Sequence, residues 1–147
     1  MALFSGARVE ELCQLRLDDF SEDGGIPFFF IRRKHEEQDT KTSSSIRRVP
    51  VHLILIRIGL LSYVERLREA KDDWLFPLLV TDVKGNRSGN WSKWFGRYLR
   101  DTVKIKDPAI VFHSFRHTFK DICRACSIPG DVHDAITGHR SGSVGRG

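Results

Sequence analysis

The sequence has few cysteines, and they lack the spacing of a metal cluster or a disulfide framework. There are three, an odd number. Cys123 and Cys126 form a C-x-x-C pair, but no second pair completes the four ligands that a structural zinc ion needs. The sequence therefore favours two small side chains packed on a helix, with a zinc or redox pair as the alternative.

Long apolar runs are also missing. No segment approaches the length of a membrane span. The first residues, MALFSGARVEEL, become amphipathic and charged at once, unlike a secretory signal peptide. These absences predict a chain that acts in the cytoplasm, away from membranes.

What the sequence does contain is enough apolar material for one folded domain. The chain has 147 residues, of which 40% are hydrophobic, including ten phenylalanines. Its formal net charge is +5, so nucleic acid is a compatible partner, although acidic residues are plentiful and any basic surface must be local. We expect a single domain over residues 1–147.

Hydrophobic periodicity and turn residues predict a mostly α fold with a small antiparallel β-sheet, an α+β class. Strands are expected in IPFFFIRR and IRRVPVH, joined by a long polar connection, with an extended segment at WLFP. Predicted helices cover about Ala7–Leu15, Leu53–Ala70, Trp91–Asp101, a segment from near His113, and Val132–Thr137. In the helix after His113, the predicted buried stripe is Phe115, Phe119, Ile122 and Cys126.

Five basic residues stand where they could handle a phosphate. Arg8 follows Gly6 at a helix start, where backbone N–H groups favour an anion. His113 and Arg116 share one helix face, and arginine offers a planar fork that matches phosphate oxygens. Lys41 lies in the polar connection, and His139 follows a glycine after a short helix. Taken singly, each is also compatible with an ordinary surface residue.

A metal site at the histidines is not expected. His113 and His117 have the i, i+4 spacing of a metal-binding pair. The zinc-protease pattern, however, needs a glutamate directly after the first histidine, and Ser114 occupies that position.

Taken together and in order, the motifs resemble the tyrosine recombinase (phage integrase) family. SGARVEELCQLRLDDF resembles the first arginine motif of that family, with Glu11 as its acidic residue. KTSSSIRRVPVH resembles the segment that carries the catalytic lysine and closes in Arg-x-Val-Pro. FHSFRHTFKDICRACSIPGDVHDAITGHRS resembles the second box, in which His-x-x-Arg precedes a Gly-His pair. The resemblance covers nearly the whole chain.

The resemblance implies a fold and a chemistry. The fold would be the DNA breaking-rejoining catalytic domain, and the partner double-stranded DNA. Arg8 and Arg116 would neutralise charge on the phosphate, and His139 would add a hydrogen bond. His113 would relay the proton of the nucleophile, and Lys41 would protonate the leaving 5′ oxygen. A tyrosine would form a 3′-phosphotyrosyl link, with no metal and no cofactor.

The sequence departs from the family pattern at both ends. No tyrosine follows Tyr98, and Arg8 comes almost at once. We therefore expect a catalytic core that lacks the N-terminal DNA-clamping domain and the nucleophile segment, and that is inactive alone. The full-length parent would be a bacterial or phage-derived recombinase, tetrameric on DNA, whereas the isolated domain would be a monomer.

Three other interpretations remain. The chain could be a catalytically dead DNA-binding module derived from the same family. It could be a type IB topoisomerase, although its small size and compact Gly-His box argue against that. It could also be a helical phosphate-binding protein with no role on DNA. In the recombinase interpretation, one concave basic surface should be lined by Arg8, Lys41, His113, Arg116 and His139. Three of them, Arg8, Arg116 and His139, should converge tightly, while Lys41 lies away from them on a mobile hairpin.

Overall fold

The computed structural model describes residues 1–40 and 45–139, which form nine main elements. Short 3₁₀ turns at Ala2–Phe4 and Leu17–Asp19 flank the first helix. The elements in chain order are α1 Val9–Cys13, β1 Phe20–Asp23, β2 Ile26–Ile31, β3 Arg47–Pro50, α2 Leu53–Arg57, α3 Leu60–Glu69, α4 Ser88–Arg97, α5 Ser114–Ala125 and α6 Gly130–Thr137. The predicted α+β class, mostly helical with a small antiparallel sheet, is confirmed.

The sheet has three antiparallel strands in the order β1-β2-β3. The predicted pairing of the two long strands is confirmed, with Phe29 opposite Val49. Strand β1 was not predicted, because its sequence FSED holds a single apolar residue. Phe20 of β1 pairs with Phe29, and the tight turn at Gly24 and Gly25 supplies the register.

The single helix expected over 53–70 is wrong: α2 and α3 are separate. Gly59 lies between them with φ of 93°, in the left-handed region that only glycine adopts cheaply. The apolar pattern runs on across the break, so periodicity alone does not reveal it.

Helix α4 begins before its predicted start because a distant carboxylate caps it. The two carboxylate oxygens of Glu10 accept the backbone N–H groups of Arg87 and Ser88, at 3.0 and 2.8 Å. Such a cap satisfies donors that a helix start leaves open. After Arg97 the helix continues as a π-helical turn, Tyr98–Thr102.

The core lies between the inner face of the sheet, α1, α2 and α3. Its fully buried side chains include Phe29, Ile31 and Val49 from the strands, with Leu15 and Val64 from the helical side. The extended segment expected at WLFP is present: Trp74 bridges Arg16, and Leu75 is fully buried.

The predicted buried stripe of α5 is wrong in part. Ile122 is half exposed and Cys126 is exposed, while Arg116 and Cys123 are buried. The helix is turned so that a charged residue faces the interior, because the surrounding backbone offers it a carbonyl acceptor. No helix among the described residues is long and apolar enough to cross a membrane.

Candidate functional site

Arg8 is fixed at the start of α1 by the carboxylate of Glu11. The Arg8 backbone N–H donates to Glu11 Oε2 at 2.7 Å, and its Nη1 donates to Oε1 at 2.9 Å. The anion expected at this helix start is therefore supplied by the chain itself. Arg8 still keeps part of its side chain open to solvent.

Glu11 is buried between two arginines. Arg47 donates to both of its oxygens, with Nη1 at 3.1 Å and Nη2 at 2.9 Å. Burial by itself would raise the pKa of the Glu11 carboxyl, but the hydrogen bonds and charges of Arg47 and Arg8 lower it overall. Glu11 is thus a carboxylate that orients two guanidinium groups.

Arg47 was not among the candidates, yet it joins three segments. Besides Glu11, its Nε donates to the carbonyl of Ile136 and its Nη1 to that of Ser45, both at 2.6 Å. Strand β3 is thereby tied to α1 and to the last turn of α6. The sequence signal was the arginine of Arg-x-Val-Pro, but a strand arginine gives no sign of its partners.

The side chain of Arg116 is buried on α5. Among the described residues its side chain makes one hydrogen bond, from Nη1 to the carbonyl of Gly6 at 2.6 Å, and no ion pair. Burial, followed by the nearby charge of Arg8, lowers the pKa of Arg116 to about 10. It remains charged at neutral pH, and Glu11 and Asp134 offset only part of this cost.

Gly6 allows this contact because nothing larger fits there. Its φ is 60°, and a Cβ atom would lie 2.7 Å from both Phe119 Cδ1 and Thr137 Cγ2. Residues that carry a Cβ atom adopt this left-handed conformation only with strain. Gly6, two residues before Arg8, thus places its carbonyl where Arg116 of α5 donates to it.

His113 lies at the start of α5, beside both arginines. It is exposed, and its ring meets that of His117 edge to face, with centroids 5.1 Å apart. Partial burial, followed by the charges of His117, Arg116 and Arg8, lowers the pKa of His113. The imidazole is therefore held neutral at physiological pH, the form that accepts a proton.

His139 follows the left-handed Gly138 that ends α6. Its backbone N–H donates to the carbonyl of Asp134 at 2.9 Å, and its side chain is exposed. A hydrogen bond from Lys120 lowers the pKa of Asp134 most, and His139 contributes to the same shift. Arg116 and His139 therefore share Asp134 as a charged neighbour.

Lys41 lies outside the described residues, so its position is not compared with the others. The described part of the connection is anchored just before it. Gln14 Nε2 donates to the carbonyl of Asp39 at 2.5 Å, and the Asp39 N–H donates back to Gln14 Oε1 at 2.8 Å. On the other side, the Ser45 hydroxyl lies 3.5 Å from Arg8 Nη1.

The structure thus brings Arg8, His113 and Arg116 into one electrostatic group and connects His139 to it through Asp134. Arg8, Arg47 and Arg116 outnumber Glu11 at its centre. Asp134 is a second carboxylate that acts on Arg116, but it is already paired with Lys120. Among the described residues the guanidinium groups therefore exceed the carboxylates that face them, and the arrangement is suited to an added anion.

Comparison with known proteins gives a fold. No family model and no curated protein matches the chain. Solved structures do, and they show that the chain has the α+β fold of tyrosine recombinase catalytic domains. The resemblance in the sequence is thereby confirmed at the level of the fold.

Two of those structures illustrate the match. The XerH site-specific recombinase bound to its difH substrate is 20% identical, with a TM-score of 0.62 over 95% of this chain. The Tn1549 transposon integrase in complex with transposon right end DNA is also 20% identical, with a TM-score of 0.61 over 94%. The chain spans only 38% and 48% of those two proteins.

Proposed function

We propose that this chain is the catalytic core of a site-specific DNA recombinase or integrase. The observation that carries the proposal is Arg116, a buried cation near a second arginine, Arg8. Among the described residues, its one hydrogen-bonded acceptor is a backbone carbonyl. Arg8 is paired with Glu11 and partly open to solvent, whereas Arg116 has no ion pair among the described residues. A phosphodiester, which would complete their hydrogen bonds, accounts for both.

Each residue then has a role at one phosphate. Arg8 and Arg116 bind the non-bridging oxygens and stabilise the charge that develops as a tyrosine oxygen attacks phosphorus. His113 accepts the tyrosine proton, and its lowered pKa suits that task. The new P–O(Tyr) bond forms as the bond to the 5′ oxygen breaks. Lys41 gives that oxygen a proton, and His139 donates a hydrogen bond to the phosphate.

Double-stranded DNA is the proposed substrate. The two solved recombinases named above are complexes with DNA, and the net charge of +5 favours a polyanion. A tetramer of the full-length protein on DNA, a monomeric isolated domain, and a bacterial or phage origin remain predictions.

A second candidate function is binding DNA without cutting it. The 147 residues contain two tyrosines. The Tyr63 hydroxyl donates to the carbonyl of Leu75, between α3 and the extended segment, and Tyr98 stacks on Trp94 at 5.3 Å. The contacts of both tyrosines are thus with residues other than Arg8 and Arg116. This favours binding of a phosphate by the 147 residues, without cleavage of the DNA.

The proposed phosphate contact can be tested by removing one arginine. Arg116→Ala should weaken binding to any duplex about equally. It should also reduce the slope of log Kd against log salt concentration by the contribution of about one phosphate contact. Fluorescence anisotropy at several salt concentrations measures both quantities. The control is Arg124→Ala on the same helix, where the arginine is exposed and paired with Asp121.

Two results would contradict the proposal. If Arg116→Ala and Arg124→Ala weaken binding equally, the buried arginine is no special phosphate ligand. If neither Arg8→Ala nor Arg116→Ala changes DNA affinity while both variants stay folded, the site does not bind the DNA backbone.

A further inference from the structure

We propose that Arg47 is a positioning residue. It fixes the position of Arg8 relative to the end of α6, after which His139 follows. The inference rests on the proposed function, because it concerns how two proposed phosphate ligands, Arg8 and His139, are held in place. Arg47 itself is not assigned a contact with DNA.

The first step is its connection to Arg8. Arg47 Nη1 and Nη2 form a two-pronged ion pair with Glu11, and the same carboxylate receives both the backbone N–H and Nη1 of Arg8. A carboxylate held by a fork on one side has few orientations left. Arg47 thereby fixes the acceptor that fixes Arg8.

The second step is its connection to α6. Arg47 Nε donates to the carbonyl of Ile136 in the last turn, where helical carbonyls lack partners within the helix. A Cβ atom on Gly138 would lie 2.7 Å from Arg47 Nη1, so the guanidinium is packed directly against the residue before His139. One planar group therefore spans the distance between the two phosphate ligands.

The third step is the chemistry that this connection requires. Arg47 donates to both oxygens of Glu11 and to the carbonyls of Ile136 and Ser45. A guanidinium offers five N–H groups in a rigid fork, whereas an ammonium is a point charge on a flexible stem. Arg47→Lys keeps the charge but should no longer fix Arg8 relative to the end of α6. The variant therefore separates positioning from electrostatics.

The experiment is a pair of double-mutant cycles on binding of duplex DNA. In the otherwise unchanged chain, Arg47→Lys should weaken affinity by about threefold to tenfold, in the lower part of the range of coupling known for residues in one network. In the Arg8→Ala background, adding Arg47→Lys should weaken affinity by less than about a further twofold, because the residue that Arg47 positions is already gone. Combined with His139→Ala its effect should likewise shrink. The matched control is Arg48→Lys, the exposed neighbour on β3 that pairs with Asp23.

A merely structural role would give a different result. Whatever Arg47→Lys does to the melting temperature, its effect on affinity would then add in full to that of Arg8→Ala and of His139→Ala. That additivity would overturn the inference. If Arg47→Lys fails to fold, Glu11→Gln should show the same coupling to His139→Ala, because Arg47 connects Glu11 to the end of α6. Additivity there would overturn the inference equally. If Arg8→Ala and His139→Ala have no effect on their own, the proposed function fails instead.

Discussion

At the scale of single residues, the site depends on charges that the fold leaves incompletely neutralised. Arg116 is 7% exposed, and burial depresses its pKa because the charged form loses hydration. A group retained at such a cost is typical of a functional site, since binding residues are often unfavourable for stability. This view leads to a prediction about stability as well as binding.

Arg116→Met should lose DNA binding without losing stability. Methionine has a similar length and no charge, so the lost hydrogen bond to Gly6 is offset by removing a buried cation. We expect a free energy of unfolding within about 1 kcal/mol of the parent, or higher. Chemical denaturation measures it. In parallel, phosphate at constant ionic strength should stabilise the parent and not the variant. A loss above about 3 kcal/mol would instead identify a structural arginine.

Glu11 should make the fold sensitive to acid. Its folded-state pKa is lowered, so its contribution is fully present above the unfolded pKa, roughly 4.3, and is lost as pH falls through the folded pKa. Glu11→Gln should cost about 3–5 kcal/mol at pH 7, because Arg47 is left buried without its partner. Urea denaturation between pH 2 and 7 should show a shallower acid limb for the variant.

The matched control for that prediction is Glu65→Gln. Glu65 is exposed and pairs with Arg68 on the same helix, so its loss should cost less than about 0.5 kcal/mol. An equal loss of unfolding free energy in the two variants would mean that the buried Glu11–Arg47 pair stabilises the fold no more than an exposed pair does.

At the scale of elements, local pattern explains what could be predicted and what could not. The β2–β3 pairing and the existence of α5 and α6 follow from alternation, turn residues and helical spacing. The break at Gly59 and the early start of α4 depend on a left-handed glycine and on Glu10 from another helix. Neither leaves a periodic signal, because tertiary contacts decide both.

The contact between α5 and the loop before α1 gives an element-scale prediction. Gly6→Ala forces a non-glycine residue into positive φ and overlaps Phe119 and Thr137. It should cost about 2 kcal/mol or more and should also weaken DNA binding, since the carbonyl that holds Arg116 moves. Thermal denaturation and anisotropy measure the two effects.

Gly25→Ala is the control for the backbone contribution. Gly25 has φ of 78° in the turn between β1 and β2, and a Cβ atom there would meet nothing within 4 Å. It should cost about 1 kcal/mol and leave DNA affinity unchanged. Equal losses at the two glycines would show that close packing at Gly6 contributes nothing.

At the scale of the whole molecule, the order of the motifs predicted a common site, but it gave no information on the contacts that hold its residues. Arg8, His113, Arg116 and His139 are spread over the chain, and only their ordered contexts suggested a common site. Arg47 was missed because its importance comes from partners on α1 and α6 that are distant in sequence.

The same scale predicts the chemistry of this polypeptide alone. We expect no covalent adduct with a suicide duplex, because Tyr63 and Tyr98 have other contacts within the fold. Denaturing gels with labelled DNA would detect an adduct. An adduct that disappears with Tyr63→Phe or Tyr98→Phe would show that one of these tyrosines is the nucleophile after all.

The last prediction concerns specificity. The solved recombinases are complexes with DNA, and this chain spans less than half of each. The phosphate ligands that we propose are arginines and histidines, and phosphate contacts carry no sequence information. Two unrelated duplexes should therefore bind with Kd values within about threefold of each other, at roughly 10⁻⁴–10⁻⁶ M in physiological salt. Both affinities should fall steeply with added salt, because binding releases counterions. Tight binding to one duplex with little salt dependence would instead mean that the surface around Arg8 and Arg116 reads base edges.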